Sequence, residues 1–330
     1  DCGDDGCGGT CGECDDGDPC TEDFCSEHGL CEATTTWKPV VIWLLDTSTS
    51  MQYSVTGQEG ELPLCHEERV AEHDYERSRW IVLLEALTGT FHEYWCAYDD
   101  RTGDNEAEDF NAQPNHIAPH GAIVAGSEQA DDGLLDELGG QYKFGLMTFD
   151  PKAGPSKDAA GGFSYGEEKV LFGLNLGIKS EAATWGALIV PVSEESPESA
   201  QGVADSIQLQ LLPARPYSGS PLAPALDDAL FFVQNHPSNG PYNEDTGTGD
   251  PGYACRTRHL ILVTDGQPNL GEGTHGYPTS KAAAAALAEA GWLVHVAGFD
   301  MPEGTFPVLD DIAEAGGTEA AKAVDGTDDL

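Results

Sequence analysis

Four apolar runs constrain this chain most: VVIWLLD (40–46), KFGLMTF (143–149), HLILVTD (259–265) and WLVHVAG (292–298). Each is nearly continuous in apolar residues rather than alternating, so both faces of each strand must be covered. Sheets buried on both faces are parallel sheets between helix layers, because a parallel connection needs a crossover long enough to hold a helix. The helices are legible between the runs, as YERSRWIVLLEALTGTF (75–91), PLAPALDDALFFVQ (221–234), SKAAAAALAEAG (280–291) and FPVLDDIAEAGG (306–317). Thr279 or Ser280 caps the third and Gly291 stops it, while Pro307 suits the first turn of the fourth. Strand and helix in alternation predict an α/β fold: a doubly wound, mostly parallel central sheet with helices on both faces.

Three segments break that rhythm: 97–133, 150–168 and 236–256. They are rich in Gly, Asp, Asn and Pro and are predicted as long loop insertions. YDDRTGDNEAEDF (98–110) and YNEDTGTGDPG (242–252) carry enough oxygen to cradle additional Ca²⁺, with a solvated loop as the plainer reading.

Composition changes abruptly near residue 36, dividing the chain into 1–36 and 37–330. The first part holds seven of the ten cysteines and eleven acidic residues, without Lys or Arg. It has no apolar periodicity, so it must be stapled by disulfides. Cys11 and Cys14 form a C-x-x-C without a second one at zinc-ribbon spacing, which favours disulfides over zinc. Asp15, Asp16, Asp18, Glu22 and Asp23 could hold calcium but lack the spacing of an EF-hand loop. Ten cysteines place the chain in an oxidising compartment, secreted or at the cell surface.

Acidic residues number 58 against 15 basic, a formal net charge of -43. Such a surface repels nucleic acid and anionic lipid and attracts divalent cations. No apolar run reaches the roughly 18 residues of a membrane span, so direct membrane insertion is not expected.

The end of the first run, LLDTSTS, invites two readings, and a glycine-rich stretch further on suggests another. An aspartic protease needs a second Asp-Thr-Gly/Ser to share a proton, and the chain offers only VTDGQ. The G-x-G-x-x-G at 271–276 starts six residues after Asp265, and Pro278 separates it from the helix, so a flexible loop fits better than a dinucleotide fingerprint. His116 and His120 are four apart but have Pro119 between them, and in CHEERVAEH (65–73) the second His comes too late for H-E-x-x-H, so neither reads as a helical metal pair. Ser220 is outside any G-x-S-x-G. Binding, not catalysis, is the expectation.

The third reading starts from DTSTS (46–50), a D-x-S-x-S at the end of the first parallel strand. It resembles the metal-ion-dependent adhesion site (MIDAS) of von Willebrand factor A (vWA) domains. SGSPLAPAL supplies Ser220 just before a helix, and LILVTDGQPN supplies Asp265 just after a buried strand. The resemblance runs through SRWIVLLEAL, KFGLMTF and DDIAEAGGT, covers about residues 37–330, and is nearest to secreted bacterial vWA proteins with expanded loops. It implies a metal site of Asp46, Ser48, Ser50, Ser220 and Asp265. The ion would be Mg²⁺, with Ca²⁺ or Mn²⁺ as alternatives, and an open position would take an Asp or Glu of a protein partner. Ser220 stands where most relatives have Thr, and Thr49 where many have Gly. CDDGDPCTEDFCSEHGLC in turn resembles a short extracellular cysteine repeat, C-x-D-G-x-x-C-T-x-D-x-C.

Elementary chemistry points the same way. A hard divalent ion takes six oxygens, some from water, and loops at the carboxyl ends of neighbouring parallel strands converge on one crevice. The vWA topology further implies that Cys96 and Cys255 meet at the opposite end of the sheet as a bridge, leaving Cys65 to pair with an N-terminal cysteine. It also calls for a last strand at AAKAV (320–324) and a helix beginning at DGTDDL, so the domain is expected to lack its last helix within this chain. The expected function is an extracellular, metal-dependent adhesion or protein-binding module. The alternative is a structural subunit of a surface assembly or filament, contacting other subunits, with the site idle or occupied.

Overall fold

The computed structural model describes residues 16–25, 31–35, 37–55, 77–91, 94–98, 114–119, 129–149, 188–190, 202, 204–208, 211, 220–235, 240–266, 268, 272–273, 278–299, 301 and 306–324. Its centre is a six-stranded sheet. In chain order the strands are β3 (Val40–Leu45), β6 (Lys143–Thr148), β7 (Leu188–Val190), β8 (Arg258–Thr264), β9 (Leu293–Phe299) and β10 (Lys322–Val324), and in space they run β10-β9-β8-β3-β6-β7. All neighbours pair in parallel except β6 with the short β7, which are antiparallel. The chain therefore starts in the middle, at β3, moves outward through β6, then returns to β8 on the other side of β3. This is a doubly wound sheet with its switch point between β3 and β8.

All six residues of β3 are buried. Their side chains alternate between two apolar layers. Val40, Ile42 and Leu44 face Leu260, Leu262, Val294 and Val296 and the helices α3 (Leu222–Asn235), α4 (Ser280–Glu289) and α5 (Phe306–Ala315). Val41, Trp43 and Leu45 face Phe144, Leu146 and Val263 and the helices α1 (Arg79–Thr88) and α2 (Leu134–Leu138). The continuous apolar runs thus follow from burial on both faces. Every residue of α1 is buried, its two charged ones included: Arg79 is ion-paired with Asp265 and Glu85 with Arg77. Its Ser78 cap accepts from the Ile81 amide, and Thr279 does the same for α4 from Ala282.

Two antiparallel ribbons lie outside the sheet: β1 (Thr21–Cys25) with β2 (Cys31–Thr35), and β4 (Tyr94–Tyr98) with β5 (Pro114–Pro119). The second ribbon corrects the reading of 97–133 as loop. Pro114 and Pro119 close both ends of β5, and the turn-rich composition concealed a strand between them. The predicted Cys96–Cys255 bridge is also corrected. Cys255 is bonded to Cys20, across 235 residues, whereas Cys96 belongs to β4. The N-terminal segment is therefore tied to the sheet by Cys255 itself. Cys65 lies outside the described residues, as do 98–110 apart from Tyr98, 150–168 and DGTDDL; β10 forms within the AAKAV segment as expected.

Candidate metal centre

Asp46 follows β3 directly, and its amide donates to the Val263 carbonyl of β8 at 2.9 Å, which fixes it at the switch point. It is fully buried. Oδ1 accepts from the Ser48 amide at 2.7 Å and Oδ2 from the Thr264 hydroxyl at 2.6 Å. The first bond folds the DTSTS loop back over its own aspartate, an Asx turn that leads into a short 3₁₀ turn at Thr49–Gln52. That fold turns the hydroxyls inward. Ser48 Oγ and Ser50 Oγ stand 2.9 Å apart, and Ser50 Oγ donates to Asp265 Oδ1 at 2.7 Å.

Asp265 follows β8 as Asp46 follows β3. Its other oxygen, Oδ2, accepts from Arg79 Nη1 at 2.8 Å, in an ion pair whose side chains are 8% and 0% exposed. Ser220, buried just before α3, reaches the same place: its Oγ lies 3.1 Å from where a Cβ on Gly266 would stand. The backbone of Gly266 thus leaves room for the Ser220 hydroxyl.

Asp46, Ser48, Ser50 and Asp265 are therefore linked at the carboxyl ends of β3 and β8, and Ser220 lies beside Gly266, the residue after Asp265. Two further residues, Arg79 and Thr264, belong to the site without having been singled out from the sequence. A signal for Arg79 did exist: a cation as the first residue of a helix opposes the helix dipole and calls for a local anion. Thr264 offered none beyond its position in VTD.

The arrangement suits a small divalent ion. Neighbouring oxygens of an octahedron with bonds of ~2.0–2.1 Å lie about 2.9 Å apart. The Ser48–Ser50 and Ser50–Asp265 separations, 2.9 and 2.7 Å, are hydrogen-bond lengths, and an ion could take the place of those hydrogen bonds without moving the oxygens far. Among the described residues no three His, Cys, Asp or Glu side chains cluster; this site instead combines two carboxylates with hydroxyls. Burial first, and the Asp265 charge second, push Asp46 up from 3.8 to about 7. Burial also raises Asp265, opposed by the hydrogen bonds from Arg79 and Ser50. Negative charge held in a dry crevice at such cost is what an entering cation relieves.

The other candidate places behave differently. In the N-terminal acidic turn, Asp16 Oδ1 accepts from the Asp18 amide and the Thr21 hydroxyl, and Asp18 Oδ1 accepts from the Cys20 amide. In 242–252, Asp250 is ion-paired with Arg256, whose Nη2 donates to it at 2.9 Å. Glu272 accepts from the Ser280 amide and hydroxyl at 2.8 and 2.6 Å, so a carboxylate holds the start of α4 where a dinucleotide would need its pyrophosphate. His116 lies on β5, and no helix among the described residues is long and apolar enough to cross a membrane.

No protein-family model and no curated protein matches the chain. Among solved structures it is similar to the BatB protein of Bacteroides thetaiotaomicron, with 16% identity over 87% of this chain and 91% of that one and a TM-score of 0.37. It is also similar to proximal thread matrix protein 1 of the mussel byssus, with 12% identity over 88% of this chain but 44% of that one and a TM-score of 0.36. A further structure of that mussel protein, at 13% identity and a TM-score of 0.35, has zinc in its MIDAS motif. These scores are too low to bear on the site. Strand order and the oxygens themselves must support any functional reading.

Proposed function

We propose that this chain is an extracellular binding module that takes a divalent cation at the crevice between β3 and β8 and uses it to capture an acidic side chain of a protein partner. The observation that carries this reading is the convergence of two buried carboxylates, Asp46 and Asp265, with the Ser48 and Ser50 hydroxyls at the carboxyl ends of β3 and β8. Asp46 and Asp265 would balance the charge of the ion, with Ser48, Ser50 and Ser220 as neutral ligands. Mg²⁺ is the first choice for so compact a site, before Ca²⁺ or Mn²⁺, because it demands short bonds and few protein ligands. When bound, the ion supplies a Lewis-acidic position on which a carboxylate oxygen can replace water. The chain's own residues orient the hydroxyls and keep the floor of the crevice dry.

Titration calorimetry with Mg²⁺ tests the site. One site is expected in the wild type and none in the Ser48→Ala/Ser50→Ala double variant. Binding to extracellular proteins of the native surface should require Mg²⁺ and reverse in EDTA. If the double variant kept both the ion and the partner, this reading would be wrong.

One observation favours a second reading. The Arg79 guanidinium already brings positive charge to Asp265. In a structural subunit of a surface assembly that charge could suffice, and the loops would make the contacts. Such a subunit would keep its partners in EDTA.

A further inference from the structure

We infer that Arg79 sets the charge of this site so that the loaded site selects a single carboxylate, weakening the hold on the cation and strengthening the hold on the acidic ligand. The inference rests on the cation-dependent reading above. It concerns a residue outside the five oxygen ligands.

The geometry is specific. Arg79 is the first residue of α1, directly after the Ser78 cap, and α1 has no acidic residue in its first turn. Its backbone is held to the metal loop, because the Arg79 amide donates to the Tyr53 carbonyl at 3.0 Å and the Val55 amide to the Arg77 carbonyl at 3.0 Å. The side chain is buried and ends on Asp265 Oδ2. A cation at the positive end of a helix is locally unfavourable, and such a broken local rule marks a functional position when a partner is found for it. Here the partner is one of the two carboxylates that would balance the ion.

Formal charges then decide what the site prefers. Asp46 and Asp265 with Arg79 carry one net negative charge, so a divalent ion leaves one net positive charge. A single carboxylate brings the loaded site to neutrality. Without Arg79 the ion alone would neutralise the two carboxylates, and an arriving acid would leave an uncompensated negative charge in a dry place. Arg79 also donates to Asp265 Oδ2, while Oδ1 accepts from Ser50, so Oδ1 is the oxygen that Asp265 would offer to a cation. An ion that takes less charge from its protein ligands is the stronger Lewis acid. Both effects lower affinity for the cation and raise affinity for the carboxylate.

The test uses Arg79→Gln, which can still donate to Asp265 but is neutral, and Arg79→Lys, which keeps the charge. Mn²⁺ affinity is measured by titration calorimetry. Acetate binding to the Mn²⁺-loaded protein is then followed by water-proton relaxation as acetate displaces metal-bound water. Arg79→Gln should bind Mn²⁺ at least about tenfold more tightly and acetate at least about tenfold more weakly than the wild type, and Arg79→Lys should stay near the wild type in both. A merely structural Arg79 would weaken both or neither, so equal or parallel changes in the two affinities overturn the inference. If the glutamine variant did not fold, Arg79→Met, neutral and of similar length, takes its place: tighter Mn²⁺ with weaker acetate binding upholds the inference, and equal or parallel changes overturn it. Failure of the underlying reading looks different. A wild type that takes up no Mn²⁺ at all rejects the cation site itself, and the inference with it.

Discussion

At the scale of single residues, the site depends on groups that hold its ligands as much as on the ligands. The Thr264 hydroxyl is one of two donors to the buried Asp46 carboxylate. Thr264→Val should destabilise the ion-free protein by about 1–3 kcal/mol in urea unfolding, because it strips a donor from a buried acceptor. Gly266→Ala would bring a methyl to 3.1 Å from Ser220 Oγ. It should lower Mg²⁺ affinity several-fold by displacing that hydroxyl, while changing the unfolding midpoint little; calorimetry and urea titration separate the two. Titration gives a third expectation. The Asp46 carboxyl is raised from 3.8 to about 7, so the folded state holds its proton more tightly than the unfolded state does. That stabilisation is full below 3.8 and is lost as pH rises through about 7. In EDTA this group should therefore make the protein less stable at about pH 8 than at about pH 4, and Mg²⁺ should offset the loss at the higher pH. The D-x-S-x-S was legible in the sequence because its geometry is local, set by one Asx turn. The Arg79–Asp265 pair was not, because its partners are 186 residues apart and no local pattern couples them.

At the scale of elements, four of the six strands of the central sheet fall within a residue of the apolar runs, since burial on both faces leaves a continuous signal, whereas the three-residue β7 was not read from the sequence. The helix over 75–91 is shorter than its pattern, Arg79–Thr88, because Ser78 caps it and Gly89 ends it at a φ of 102°. A Cβ at Gly89 would collide with the Ala130 carbonyl, so the stop is enforced by tertiary packing as well as by conformation. The β4–β5 ribbon was illegible, because YWCAY does not alternate and its partner lies in a turn-rich stretch. Disulfide connectivity was illegible for a further reason: ten cysteines allow many pairings, and spacing selects none of them. The Cys20–Cys255 bridge closes 235 residues. Cys20→Ser with Cys255→Ser should lower the melting temperature, the chain-entropy model setting an upper figure of about 5 kcal/mol. Mg²⁺ affinity should hold, because Cys255 precedes β8 and the site follows it. Loss of the site in that variant would show that the N-terminal ribbon supports it.

At the scale of the whole molecule, the doubly wound sheet supplies the crevice and the net charge of -43 supplies the field around it. On the proposed reading, the surface would concentrate divalent cations and repel other polyanions, and the buried oxygens of the switch point would provide the selective step. The central claim is that these oxygens bind a divalent cation, and thermal unfolding in Mg²⁺ and in EDTA tests it most directly when the wild type is set beside Asp46→Asn. The amide keeps the shape of Asp46 and removes a buried charge, so in EDTA the variant should be at least as stable as the wild type. At a hundred times its dissociation constant, Mg²⁺ should stabilise the wild type by about 2.7 kcal/mol and leave Asp46→Asn unchanged. A melting temperature that ignores Mg²⁺ in the wild type, or that rises equally in both proteins, would contradict the account.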